Sequence, residues 1–290
     1  MINKDTFFYE KNIINCNGKF IDLSRPVIMG ILNLTSNSFY DGGKFHNNSK
    51  IKLQIKNMIK EGASIIDIGC VSTKPGVKLI TEKEEMKKII KNLTFIRKNF
   101  PDIIISIDTF RSKVAEACIN IGVNIINDIS GGNLDKNMFD VIAKYQIPYI
   151  LTHMQGKPSS MQENPKYDNL IKEIINFFEY KINKLNQLGI NDIIIDPGFG
   201  FGKTTKHNYQ ILNNLNLFKV FKKPILIGIS RKSMINQVLN TKPKEALNGT
   251  TIINTLCLEK GAKILRVHDV QEAKECIEIY NFKNQAKQEG

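Results

Sequence analysis

Apolar residues in this chain gather into short blocks, each ending in a polar or glycine-bearing stretch, and between the blocks they recur at helical spacing. Residues 27–34 are β-branched and apolar with little alternation, the pattern of a strand covered on both faces. That block hands over at Asn33 to a polar run, 35–43, that carries Ser38 and Asp41 and ends in two glycines. The same handover returns at 65–69, 103–108, 124–128, 149–153, 193–196, 224–230 and 264–269. Amphipathic segments fall around 49–61, 81–99, 112–121, 135–144, 168–188, 206–214, 243–259 and 270–282. Strands alternating with helices of this length predict parallel βαβ units. Eight of each predict a (β/α)₈ TIM barrel, an α/β fold for which 290 residues is an ordinary size. No linker or low-complexity run divides the chain, so one domain is expected over 1–290, with the barrel over 25–282. Ahead of it, residues 12–23 with Asn17-Gly18 at their centre predict a β-hairpin with a primed turn, placed to cap the barrel floor.

Composition changes this picture little. The net charge of +13 is what a nucleic-acid binder would show, but the lysines are spread over every helix and not clustered on one. That distribution favours a solvated surface and no nucleic-acid partner. No apolar run approaches the length of a membrane span, and Met1-Ile-Asn-Lys-Asp lacks a basic segment leading into an apolar one, so a cytoplasmic protein is expected. Five cysteines without a CxxC pair make neither a disulfide framework nor a zinc site. Cys16, Cys118, Cys257 and Cys276 are expected as small buried fillers, while Cys70 stands at a strand end.

In a barrel of this kind the carboxyl ends of all the strands face one mouth. Asn33, Asp67, Asp108, Asn127, His153, Asp196, Ser230, Arg266 and His268 would therefore converge from different strands. Lys203, Arg231 and Lys232 join Arg266 and His268 on the later loops. Carboxylates and amides deep inside, with cations later in the chain, suit a ligand that carries a hydrogen-bonding heterocycle at one end and anions at the other. Ser230-Arg-Lys-Ser233 opens a helix, where backbone N–H groups favour an anion. Gly198-Phe-Gly-Phe-Gly-Lys-Thr204 looks like a nucleotide-binding P-loop, but Pro197 stands where that pattern requires glycine.

Several longer motifs resemble one family, dihydropteroate synthase: Met29-Gly-Ile-Leu-Asn-Leu-Thr, Ser38-Phe-Tyr-Asp-Gly-Gly, Ser72-Thr-Lys-Pro-Gly, Ser106-Ile-Asp-Thr, Ile126-Asn-Asp-Ile, His153-Met-Gln-Gly, Asp196-Pro-Gly-Phe-Gly-Phe-Gly-Lys, Ser230-Arg-Lys-Ser and Arg266-Val-His-Asp. The resemblance spans roughly 18–277. It implies condensation of a hydroxymethyl-dihydropterin diphosphate with 4-aminobenzoate, releasing diphosphate and forming dihydropteroate for folate synthesis. Carried onto matching positions, it implies a pterin pocket of Asp108, Asn127, Asp196 and Lys232. The diphosphate would be held by Asn33, Thr73, Lys74, Arg266 and His268, with Mg²⁺ bridging Asn33 and phosphate oxygens. Aminobenzoate would lie outermost, its carboxylate at the helix begun by Ser233 and its ring near Pro75, Lys232 and Phe39. The implied mechanism is dissociative. Asp108 and Asp196 supply negative field to a cation at the exocyclic methylene, and the unprotonated aryl amine needs no strong base. A homodimer through the late helices is implied as well.

Two loops depart from the family pattern. Thr35-Ser-Asn-Ser-Phe39 stands where the family has Thr-Pro-Asp-Ser-Phe, and Lys74 stands for its usual arginine. Both bear on turnover and aminobenzoate affinity more than on the pterin pocket. The alternative they raise is a non-catalytic pterin-binding paralogue.

Overall fold

The dipeptide Asn17-Gly18 sits at positive φ in both residues, 56° and 82°, as a primed hairpin turn demands. It joins β1 (Ile13–Cys16) to β2 (Lys19–Asp22), which pair antiparallel with Cys16 opposite Lys19. In the computed structural model the described residues are 12–34, 44–71 and 79–286, with the backbone alone for 44–47.

After the hairpin come β3 (Val27–Asn33), α1 (Lys44–Glu61), β4 (Ile65–Gly69), α2 (Glu82–Asn99), β5 (Ile104–Asp108), α3 (Ser112–Ile119), β6 (Ile125–Asp128) and α4 (Met138–Tyr145). The second half holds β7 (Tyr149–Thr152), α5 (Leu170–Gln187), β8 (Ile193–Asp196), α6 (Thr205–Asn213), β9 (Leu226–Ile227), α7 (Ser233–Leu239), α8 (Leu247–Glu259), β10 (Ile264–Val267) and α9 (Val270–Ala286). Strands β3 to β10 form one parallel sheet in the order β8-β7-β6-β5-β4-β3-β10-β9. A bridge between Ile195 and Ile225 brings its two edges together, giving a nearly closed barrel with helices outside.

Two of the sequence expectations need correction here. The strand expected over 224–230 is regular only over Leu226–Ile227. Pro224 has no N–H to donate, and the pairing toward β8 is a single bridge, so the ladder cannot extend. The count of eight helices is also short: the helix expected to open at Ser233 is α7, and with it the described residues hold nine α-helices.

Alternate strand residues face the axis. Met29, Ile65, Ile104, Ile125, Ile194 and Ile264 build an inner layer at the amino ends of the strands, and the hairpin's Ile14, Cys16, Ile21 and Leu23 pack against it. The hairpin thus caps the floor, as expected of a hairpin ahead of the first barrel strand. Outward-facing residues such as Leu32, Ile68, Ile107 and Leu151 pack against Ile55, Leu93 and Val114 of the helices in a second core. Burial of so many aliphatic side chains, at about 1.5–3 kcal/mol each, makes the strand frame rigid.

The floor layer also determines what comes next. Two residues further along each strand, period two brings Asp67, Ser106, Asn127, Thr152, Asp196 and Arg266 to the axis. A polar layer therefore rests directly on the apolar one. All five cysteines are free and buried, and burial pushes the Cys70 thiol up to about 12, so its position at a strand end does not make it reactive. Among the described residues, no helix is long and apolar enough to cross a membrane.

Candidate active site

Arg266, on β10, crosses the barrel axis to two carboxylates from neighbouring strands. Its Nε donates to Asp67 Oδ2 at 2.7 Å, and its Nη2 to Asp108 Oδ2 at 2.7 Å. Asp67 is fully buried, whereas the Asp108 side chain keeps 21 % of its surface. Burial works against the arginine's charge, but the two carboxylates outweigh it and hold the guanidinium protonated. Its Nη1 stands outside both pairings.

Asp67 Oδ2 also accepts from Asn127 Nδ2 at 3.1 Å. This bond decides how the amide is turned: with its nitrogen held at Asp67 through one of two N–H groups, Asn127 offers its carbonyl oxygen as an acceptor. The neighbouring Asp128 faces outward and is fully bound, accepting from Ser130 N at 2.7 Å, Gly132 N at 2.9 Å and Tyr149 Oη at 2.7 Å. That network fixes the end of β6 and with it Asn127. Asp67 Oδ1, Ser106 Oγ and Thr152 Oγ1 are buried in the polar layer with no hydrogen-bond partner among the described residues.

On the opposite wall, Asp196 ends β8 and accepts from Gly198 N at 2.8 Å through Oδ1. Burial raises its carboxyl above the usual range, while Lys232 pulls the other way. Lys232, the residue before α7, donates to Phe199 O and lies 4.4 Å from the centre of the Phe201 ring. Burial lowers its amine to about 8, against the pull of Asp196. Enclosure raises Asp108 to about 7, with Arg266 opposing and Asp67 adding to the rise. The pocket is therefore a mosaic of alternating charge in which Asp108 and Lys232 both titrate near neutrality. Phe110, Ile129, Met154 and Met161 form a small apolar cluster at the mouth, with Val71, Leu79 and Phe201 against it.

Two of the cations anticipated for an anion are engaged otherwise, and a third carries no charge. Arg231 makes a two-pronged pair with Asp269, Nε to Oδ2 at 2.9 Å and Nη2 to Oδ1 at 2.5 Å. Lys203 is only 2 % exposed and is bound by carbonyl oxygens and His153, so it does not face a ligand. His268 shares a 3.0 Å hydrogen bond with Ser230 through Nδ1; enclosure at the rim, then the nearby Arg266, push its imidazole down to about 4, so it is neutral at pH 7 although one edge stays exposed. Such a ring can still donate one hydrogen bond to an oxyanion, but it adds no charge.

Of the site residues expected from sequence, Asp108, Asn127, Asp196, Lys232, Arg266 and His268 gather at the carboxyl ends of the strands. Asn33 ends β3 on the same rim, half-buried, and Ser233 is exposed as the first residue of α7. Thr73 and Lys74 lie outside the described residues, as do Ser38, Phe39, Asp41 and Pro75. Sequence reasoning placed Asp67 at the mouth without assigning it a task. Its position two residues past Ile65, on an inward strand face, was the available signal. Among the described residues no group of three or more His, Cys, Asp or Glu side chains could hold a metal ion.

The comparisons with known proteins agree with this geometry. A family model described as pterin binding enzyme matches residues 29–268. The dihydropteroate synthase of Haemophilus influenzae is 40% identical over 266 residues, covering 91% of this chain and 96% of that protein. A crystal structure of the Yersinia pestis dihydropteroate synthase with a sulfonamide drug complex superimposes with a TM-score of 0.88 at 38% identity, covering 94% of this chain and 99% of that one. The Xanthomonas albilineans enzyme with 4-aminobenzoic acid gives a TM-score of 0.87 at 31% identity, over 94% and 98%.

Proposed function

This chain belongs to the pterin binding enzyme family, among the dihydropteroate synthases, and from that membership we propose how its barrel mouth joins (7,8-dihydropterin-6-yl)methyl diphosphate to 4-aminobenzoate, giving 7,8-dihydropteroate and diphosphate for tetrahydrofolate synthesis. The observation that carries the residue assignment is the orientation of Asn127: its amide nitrogen is turned to Asp67, which leaves the carbonyl oxygen for the ligand.

A pterin presents an amino group and ring N–H donors along one edge and a carbonyl beside them. Asp196 accepts the paired donors, Asn127 accepts a further one, and Lys232 donates to the carbonyl. Asp108, on the far side of Arg266, faces the ring nitrogens nearest the exocyclic methylene. The flat ring lies against Met154, Phe201 and Ile129, which exclude water and lower the local dielectric. Buried polar atoms in the layer beneath leave further hydrogen-bonding capacity next to it.

As the bond to diphosphate lengthens, positive charge grows on the pterin methylene. Asp108 and Asp196 stabilise it from fixed positions, which costs no reorganisation at the moment of reaction. Arg266 Nη1, neutral His268 and, from the sequence, Thr73 and Lys74 receive the departing oxygens. The amine of aminobenzoate carries no proton at neutral pH, attacks the methylene carbon and sheds its extra proton to solvent. Ser233 at the start of α7 is placed for its carboxylate.

A magnesium ion arriving with the diphosphate would be held by Asn33, whose amide side chain ends β3 on the rim, and would supply neutralisation of the leaving-group charge. The exposed faces of α8 and α9, with Ile252, Leu256, Ile279 and Phe282, suit the homodimer implied by the family, and a cytoplasmic setting suits the substrates. Incubation with the pterin diphosphate, 4-aminobenzoate and Mg²⁺ tests the assignment. Dihydropteroate should accumulate; pterin binding without product would instead identify a non-catalytic paralogue.

A further inference from the structure

A lysine sealed inside the barrel rim, Lys203, marks the seam between the β7–α5 and β8–α6 connections. Lys203 Nζ lies 2.9 Å from His153 Nδ1, 3.2 Å from His153 O, 2.9 Å from Gly198 O and 3.0 Å from Phe201 O. Four acceptors surround a head group that can donate three hydrogen bonds, and none of them is a carboxylate. The two connections touch more closely than side chains permit. A Cβ on Gly198 would lie 1.9 Å from His153 O, and one on Gly202 would lie 2.3 Å from Gln155 O. Both glycines also hold positive φ, 73° and 63°.

The loop pinned in this way carries two groups of the ligand pocket. Gly198 N donates to Asp196 Oδ1 at 2.8 Å, and Phe199 O receives Lys232 Nζ. The Phe201 ring lies beneath the same ammonium. From the other side of the seam, His153 N donates to Asp196 O at 3.0 Å. Moving the loop would therefore move the carboxylate and the lysine together.

We propose that Lys203 is a positioning residue for pterin binding: it clamps the glycine-rich loop onto His153 and thereby fixes Asp196 and Lys232 in register with each other. The proposal rests on the pterin assignment above and extends it to a residue that never touches substrate. Burial lowers the Lys203 amine to about 7, opposed by Asp196, and burial holds His153 neutral with its Nδ1 as acceptor. A clamp of this kind acts first on the pterin side, where Asp196 and Lys232 both bind; aminobenzoate meets only Lys232 of the two, and its carboxylate and the diphosphate are held from other loops.

The test is Lys203→Met in the full chain, with folding checked by thermal unfolding and circular dichroism. Calorimetry measures affinity for the uncharged pterin alcohol, and steady-state kinetics at saturating pterin measure KM for aminobenzoate. Pterin affinity should fall about tenfold or more, as expected when four acceptors lose their shared donor, while KM for aminobenzoate stays within about twofold. Lys203→Arg should fall between, because its guanidinium keeps donors but is too broad for a seam shaped around one nitrogen. If the methionine variant does not fold, the arginine variant decides on the same two readouts. A folded variant with unchanged pterin affinity, or with equal losses in both readouts, would overturn the proposal. Failure of the unaltered protein to bind pterin would instead overturn the pterin assignment itself.

Discussion

Replacing Arg266 with methionine should destabilise the barrel as well as the site, and the cause can be separated from the loss of a ligand contact. The guanidinium is the partner of two carboxylates of unequal burial, Asp67 with none of its side chain exposed and Asp108 with 21 % exposed. Water can solvate Asp108 when Arg266 is removed; it cannot reach Asp67, whose Oδ1 already has no partner among the described residues. Breaking a buried pair on one side costs about 3–5 kcal/mol, because it leaves an uncompensated charge. At roughly 2–4 °C per kcal/mol for a domain approaching this size, Tm should fall by about 6–20 °C. Adding Asp67→Asn to Arg266→Met removes the stranded charge while leaving a carbonyl to accept from Asn127, so more than half of that loss should return. Pterin affinity should not return with it. Scanning calorimetry on the two variants decides the matter. A single variant melting within about 2 °C of the parent, or a double variant no more stable than the single, would refute the argument.

Further outcomes follow from this geometry and from the family's substrates. Enclosure lifts Asp108 to about 7 and lowers Lys232 to about 8, so the carboxylate takes a proton as pH falls through the first value and the amine loses one as pH rises through the second. Pterin affinity measured against pH should therefore be greatest between them. Asp67→Asn removes a carboxylate that raises Asp108, and the acid limb should then move to lower pH; a limb that stays or rises would contradict the coupling. Chelating Mg²⁺ should abolish synthesis and leave calorimetric binding of the pterin alcohol within about twofold, since the ion acts on phosphate oxygens. Lys74→Arg should lower KM for aminobenzoate by a factor of a few, if the planar fork gains about one hydrogen bond of 1 kcal/mol on the diphosphate; an unchanged or raised constant would show lysine to be a neutral replacement there.

The architecture was legible because each strand is an apolar block that ends abruptly in polar residues, a pattern little else produces. Asn17-Gly18 announced the hairpin for the same reason: two positive φ angles in succession exclude most other residues. Strand β9 was overread, since apolar content alone cannot show that Pro224 and a single bridge stop its ladder. The site residues were legible as a set, through their shared place at strand ends, but their partners were not. Arg266 meets Asp67 from 199 positions away and Asp108 from 158, and no local spacing encodes such a pairing. Lys203 was misplaced among the anion-facing cations because a lysine in a glycine-rich loop looks exposed; only the approach of two backbones, permitted by Gly198 and Gly202, encloses it. Arg231 was misjudged in the same way, its fork being closed by Asp269 of the very motif that contributes Arg266 and His268.

The central claim is that Asp196 anchors the pterin, and calorimetric titration of the parent and Asp196→Asn with the uncharged pterin alcohol tests it most directly. The carboxylate can accept two donors, whereas the amide turns one acceptor into a mismatched donor, at a cost of about 2–3 kcal/mol. The account predicts a loss of affinity of roughly 30- to 150-fold, with the variant still folded. Equal affinity in the two proteins would contradict it.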